Sequence, residues 1–116
     1  MFRFENLEIW KLSIAYGKKC YKIAATLPKE EVYALGSQLR RAALSISNNI
    51  AEGSVGSEQN FKKYLTTAIG STLETVNILH FALEVGYIDI EIRGEMYEEA
   101  EKLIRKTRSF MKSLDL

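Results

Sequence analysis

The groups on this chain best suited to engage a ligand are basic, and the chemistry they offer is phosphate binding. Lys62 and Lys63 stand at the start of one expected helix, and Arg105, Lys106, Arg108 and Lys112 near the end of another. Bases in a last helical turn need no ligand to explain them, because the helix macrodipole favours them by roughly 0.3–1 kcal/mol each. Lys62 and Lys63 have no such account, since positive charge is disfavoured in a first turn. Two unfavourable choices in succession point to an outside demand such as a phosphate. The competing reading is that both lysines balance Glu58, Glu52 and their neighbours.

A second polar set has different chemistry. Gln38, Arg41, Ser45, Asn49 and Glu52 recur at spacings of three and four, so one helical face carries them all. Leu39, Ala43, Ile46 and Ile50 repeat that spacing on another face and form a core stripe. The polar face is short-armed, amide-rich and mixed in charge, which suits a hydrogen-bonded network between packed surfaces; the alternative is an ordinary wet face. Antiparallel threading brings Gly70, Ser71 and Glu74 to the same place. Gly70 costs roughly 1 kcal/mol in a helix relative to alanine, which close helix approach would offset. An Arg41–Glu74 ion pair would then set register more than stability, with an arginine serving RNA phosphate as the sharper alternative.

Catalytic readings fail residue by residue. His80 is the only histidine and Cys20 the only cysteine, so no second histidine or cysteine joins His80 in a metal-ligand pattern and no disulfide framework forms within the chain. His80 borders the Val76–Leu79–Leu83 stripe and reads as a packed, hydrogen-bonded side chain. Cys20 lies on an apolar stripe and reads as a buried thiol. Ser45 has no base nearby in sequence, no phosphate-cradling glycine loop is present, and the Glu-x-x-His pairs of di-iron bundles are missing. No enzyme, cofactor or metal is expected.

Four helices must position these groups, with expected bounds of about 6–27, 33–54, 57–85 and 89–113. Asn6, Ser57 and Asp89 are candidate N-caps, Pro28 stops the first helix, and Gly86 stops the third. Sustained strand alternation is absent and the connections are short. The expected fold is all-α, an up-down-up-down antiparallel four-helix bundle in one domain over 1–116. No stretch nears the roughly 18 apolar residues of a membrane span. The opening MFRFENLEIW lacks an apolar signal core, so a cytoplasmic setting is expected.

Threading also exposes a hidden charge asymmetry. Net charge is only +1. Yet eight bases, Lys11 among them, meet five acids at the end holding the N-terminus, while seven bases meet ten acids at the other. Lys18, Lys19 and Lys22 are expected to pair with Glu95, Glu98 and Glu101. In a cyclic assembly the basic ends would add up on one face and bind polyanions in a salt-dependent way.

The first helix carries two apolar stripes. Leu7, Trp10, Ile14, Gly17, Tyr21 and Ala24 are expected to face the bundle. Ile9, Leu12, Tyr16, Cys20, Ile23 and Leu27 lie roughly 130° away and need another cover, most economically a second copy of the chain. The competing reading is that this helix sits unusually deep in its own bundle.

The strings QLRRAALSI, NNIAEG and FKKYLTTAIGSTLE, with the Phe4–Trp10 opening and Gly86-Tyr87, resemble the bacterial four-helix-bundle family encoded by intervening sequences of large-subunit ribosomal RNA genes. That family is similar in turn to accessory proteins of diversity-generating retroelements, which form five-membered rings and bind nucleic acid. The resemblance implies a bundle fold, a homo-pentameric ring and RNA or DNA as partner. Two functions follow as expectations. One is a non-catalytic oligomer that binds nucleic acid largely without sequence preference through Lys62, Lys63, Arg105, Lys106, Arg108, Lys112 and Lys11. The other is an assembly or adaptor protein that holds an unidentified protein and no nucleic acid.

Overall fold

The computed structural model describes residues 1–115 and contains four α-helices and no strand among them. Helix α1 spans Glu8–Thr26, α2 Leu35–Gly53, α3 Glu58–Glu84 and α4 Ile90–Ser113, with short 3-10 turns at Arg3–Asn6 and Lys29–Glu31. Local chemistry explains the ends. The Ser57 side chain accepts from the Asn60 N–H at 3.1 Å, and Asp89 accepts from the Ile92 N–H at 2.8 Å, so both cap orphan donors of a first turn. Helix α3 stops where Gly86 takes φ +84°. Its N–H reaches Leu83 O and the Tyr87 N–H reaches Ala82 O, the paired closure that a left-handed glycine permits. Asn6, expected as the cap of the first helix, instead closes a 3-10 turn, and Leu7 occupies the cap position without a side-chain bond.

Helix α1 packs on α2 and α4, α2 packs on α3, and α3 packs on α4. Leu39, Ala43, Ile46 and Ile50 of α2 are all buried, as the spacing of the apolar residues requires. At one end of the molecule the first residues meet α1 through Phe4 and Trp10 and α3 through Arg3. Arg3 donates to Glu58 at 3.1 Å and lies 5.1 Å from the centre of the Phe61 ring, which packs edge-on against Phe110. Among the described residues no helix is long and apolar enough to cross a membrane.

The assignment of the α1 stripes is corrected. Ile9, Tyr16, Cys20, Ile23 and Leu27 are buried in this chain's own core, and Leu12 is half-buried against it. They are not available to a partner. The face expected to pack inward is divided: Ala24 is buried and Leu7 and Trp10 pack against the core, whereas Ile14 is 38% and Tyr21 45% exposed. Two apolar stripes at one spacing cannot reveal which turns toward α2 and α4. The deciding contact is remote in sequence: the Tyr16 hydroxyl shares a 2.8 Å hydrogen bond with Thr75 Oγ1 of α3, both fully buried. A buried phenol requires such a partner, and only one stripe carries a tyrosine that can reach it. Burial raises the Tyr16 pKa, helped by the nearby Cys20 and Glu99. The N-terminal part of the open stripe is partly covered, since Phe4 stands edge-on to Trp10 at 5.1 Å.

Candidate nucleic-acid interface

The expected basic cluster divides into three places. Arg105, Arg108 and Lys112 lie on one stripe of α4, spaced three and four apart, and line a groove of about 780 Å³ between α3 and α4. Its other walls are Leu73 and Val76 of α3 and Tyr97, Glu101, Ile104 and Ser109 of α4. Leu73 is 52% exposed and Tyr97 42%. The Arg93 guanidinium lies 4.6 Å from the centre of the Tyr97 ring, a cation–π contact that steadies it.

Lys62 and Lys63 sit apart, in a shallow polar cleft with Glu58, Gln59, Thr66, Leu114 and Asp115. Lys62 forms an ion pair with Asp115. That pairing supplies an internal reason for a base in the first turns of α3. Lys106 faces away from the groove and meets Glu8 of α1 at 3.4 Å; Lys11 is exposed on α1. The ion pairs among the described residues are Arg3–Glu58, Lys19–Glu99, Lys62–Asp115 and Lys106–Glu8. None uses Arg105, Arg108 or Lys112. Surface pairs of this kind contribute about 0–1 kcal/mol, but they neutralise charge that a polyanion would otherwise feel. The groove therefore holds cations with no acid in pairing distance among the described residues, although Glu101 lies along the same wall.

The lysines of α1 also divide. Lys19 meets Glu99 at 2.7 Å, one position away from the expected acids, and hydrogen bonding to Glu99 raises its pKa. Lys18 and Lys22 point elsewhere. With Ser13, Ile14, Gly17, Tyr21, Ala43, Leu44 and Ser47 they line an apolar groove of about 400 Å³ between α1 and α2. Leu44 is 50% exposed. Neither that groove nor Leu44 was identified by spacing, because Leu44 falls between the core face and the polar face of α2.

The polar series on α2 meets α3. Gln38, Arg41 and Ser45 line one cleft with Ala42 and Glu74. Ser45 and Ser71 share a 2.8 Å hydrogen bond, and the Asn49 amide donates to Ser45 O at 2.7 Å and Ser45 Oγ at 3.0 Å. Glu52 is exposed and joins none of these bonds. Arg41 and Glu74 share the cleft but are not among the ion pairs of the described residues.

Two further expectations are corrected. A Cβ built on Gly70 meets nothing within 4 Å, so this glycine does not mark close helix approach. Gly53 does, since a Cβ there would stand 2.6 Å from Tyr64 Cβ and 2.9 Å from a Phe61 ring atom. The clue was available in principle, as Gly53 is a buried-face residue one turn after Ile50. His80 is exposed rather than packed. Cys20 is fully buried, and burial pushes its thiol up to about 12. No group of three or more histidine, cysteine, aspartate or glutamate side chains among the described residues could hold a metal ion.

Comparison with curated proteins gives no match. The family model of the 23S rRNA-intervening sequence protein matches residues 5–109, which take in all four helices nearly to the end of α4. The chain belongs to the 23S rRNA-intervening sequence protein family.

Proposed function

We propose that this chain is a non-catalytic, self-associating protein that binds RNA or DNA in the cytoplasm, largely without sequence preference. One observation carries the reading: Arg105, Arg108 and Lys112 line a single groove and form no ion pair among the described residues. Three such cations on one helical stripe match a phosphate backbone, which is read by charge and position and not by base edges. The proposed scaffold is one domain, an up-down-up-down antiparallel bundle. Contact order supports it. Glu8 meets Lys106 while Lys19 meets Glu99, and Ser45 meets Ser71 while Gly53 abuts Tyr64. In both helix pairs one number rises as the other falls.

Self-association belongs to the same proposal, with its surface moved to Ile14, Tyr21 and Leu44 around the α1/α2 groove. A homo-pentamer is the state implied by family resemblance, and a closed ring would repeat the α3/α4 groove at equal intervals. The apolar groove also favours a second reading, an adaptor that holds a protein partner there and binds no nucleic acid.

The test is a salt series of RNA binding on material whose mass has been fixed by light scattering. Log affinity should fall linearly with log salt, and the slope counts neutralised phosphates. An oligomer that binds no RNA even at low salt would leave the adaptor reading standing alone.

A further inference from the structure

We infer that the α3/α4 groove takes single-stranded nucleic acid, with a base stacked on Tyr97 and phosphates on Arg105, Arg108 and Lys112. The inference rests on the nucleic-acid reading above and names the form of ligand and the residue that would distinguish it.

The groove is not a uniformly basic surface. Leu73, Val76 and Ile104 provide apolar walls, and Tyr97 adds an aromatic ring that is 42% exposed. The three cations follow in sequence toward the C-terminal end of α4. At 1.5 Å rise per residue they extend over about 10 Å of helix beyond the Tyr97 and Ile104 region. A ligand that satisfies both parts must present a flat apolar group and, next to it, a row of negative charges. An unpaired nucleotide strand does so. A duplex does not, because its bases are stacked on one another and turned inward, leaving Leu73, Val76 and Tyr97 to face phosphates. Arg93 over the ring favours the observed orientation of Tyr97 through a cation–π contact, which lowers the ordering cost of stacking. Glu101 on the wall opposes phosphate, and Arg105 also borders a cleft that holds Glu95, Glu98 and Glu99; all four acids lie on the Tyr97 side of the cations, where the base would sit.

The test compares three probes by fluorescence anisotropy at low salt: an oligouridylate, an abasic strand of equal length and charge, and a blunt RNA duplex. The wild-type chain should bind the oligouridylate about 5- to 150-fold tighter than the abasic strand, the range that stacking one base supplies. Tyr97→Leu should abolish that preference and leave the salt slope unchanged. Tyr97→Phe should retain it, which separates lost stacking from a damaged fold. Arg105→Glu with Arg108→Glu should flatten the slope by about one to two. Equal binding of the oligouridylate and abasic strands, or a duplex bound as tightly as the single strand, overturns the inference while salt-dependent binding keeps the broader reading. Binding to no polyanion at all removes both. Competition of an acidic amphipathic peptide for the groove, with no strand bound, assigns it to a protein partner and also overturns the inference.

Discussion

The two grooves of this molecule are made from the same parts, a pair of neighbouring helices with exposed apolar side chains, yet they offer different chemistry. Between α1 and α2 the floor is small, with Ser13, Gly17, Ala43 and Ser47, and the apolar rim is Ile14, Tyr21 and Leu44. Lys18 and Lys22 add charge only at the side. Between α3 and α4 the apolar groups share the wall with Arg105, Arg108, Lys112 and Glu101. An apolar concavity gains most from another apolar surface, at roughly 25 cal/mol per Å² removed from water. A mixed one gains from a ligand that is itself half apolar and half anionic. The contrast underlies the proposed division, with self-association on one side of the protein and nucleic-acid binding on the other.

The strongest way to break that division is Leu44→Asp. A carboxylate at the rim of the α1/α2 groove should weaken self-association about 100-fold or more, as expected for a central interface residue. Light scattering should then report a mass near the 13.2 kDa of one chain, with an unchanged helical circular dichroism spectrum. An assembly that survives the substitution would move the interface elsewhere. Next in size is Arg105→Glu with Arg108→Glu, expected to lower RNA affinity at low salt about 30-fold while the oligomer stays intact. Lys62→Glu sharpens the point, since Lys62 already answers to Asp115. Its effect on RNA affinity should stay below about threefold, and a loss equal to that of the arginine variant would restore the lysines as principal contacts.

Stability provides two smaller checks that should leave both grooves alone. Gly53→Ala places a Cβ 2.6 Å from Tyr64 Cβ and should cost about 1–3 kcal/mol in urea unfolding, as overpacking usually does. Alkaline pH is the gentlest perturbation. Cys20 is pushed from 9.0 to about 12 by burial, and Tyr16 is raised by the same cause. Each group keeps its proton in the folded chain at pH values where the unfolded chain has lost it. The Cys20 contribution is complete below pH 9 and the Tyr16 contribution below pH 10, and each then falls by about 1 kcal/mol per pH unit as pH rises toward 12. A flat urea midpoint across that range would contradict the burial of both.

Much of the helical framework was legible in the chain because its signals are local. Ser57 and Asp89 cap because a short polar side chain precedes an apolar run, and Gly86 ends α3 because only glycine takes φ +84° without strain. The buried face of α2 follows from spacing alone. The candidate site was legible only as a set of residue types. Residue order placed Arg105, Lys106, Arg108 and Lys112 together near the end of one helix, and it did not separate the three groove cations from Lys106, which turns toward Glu8, or from Lys62, which pairs with Asp115. Ion pairing depends on which acid a neighbouring helix presents, and that acid is far away in sequence.

The first helix marks the boundary. Its composition and period establish that two stripes are apolar, and they leave open a second copy covering one of them or a helix set deep in its own bundle. They do not say which. Period alone is indifferent to rotation of a helix about its axis, so both orientations satisfy the same pattern. The choice falls to contacts across the core: Tyr16 finds Thr75, Cys20 packs beneath it, and Ile14 and Tyr21 are left at the surface beside Leu44. Helix identity, most helix ends and the two apolar stripes of α1 were written in local residue order. The rotation of α1, the pairing of Lys62 and the joining of Tyr97 to three cations arose from packing, because each depends on atoms brought together from distant parts of the chain.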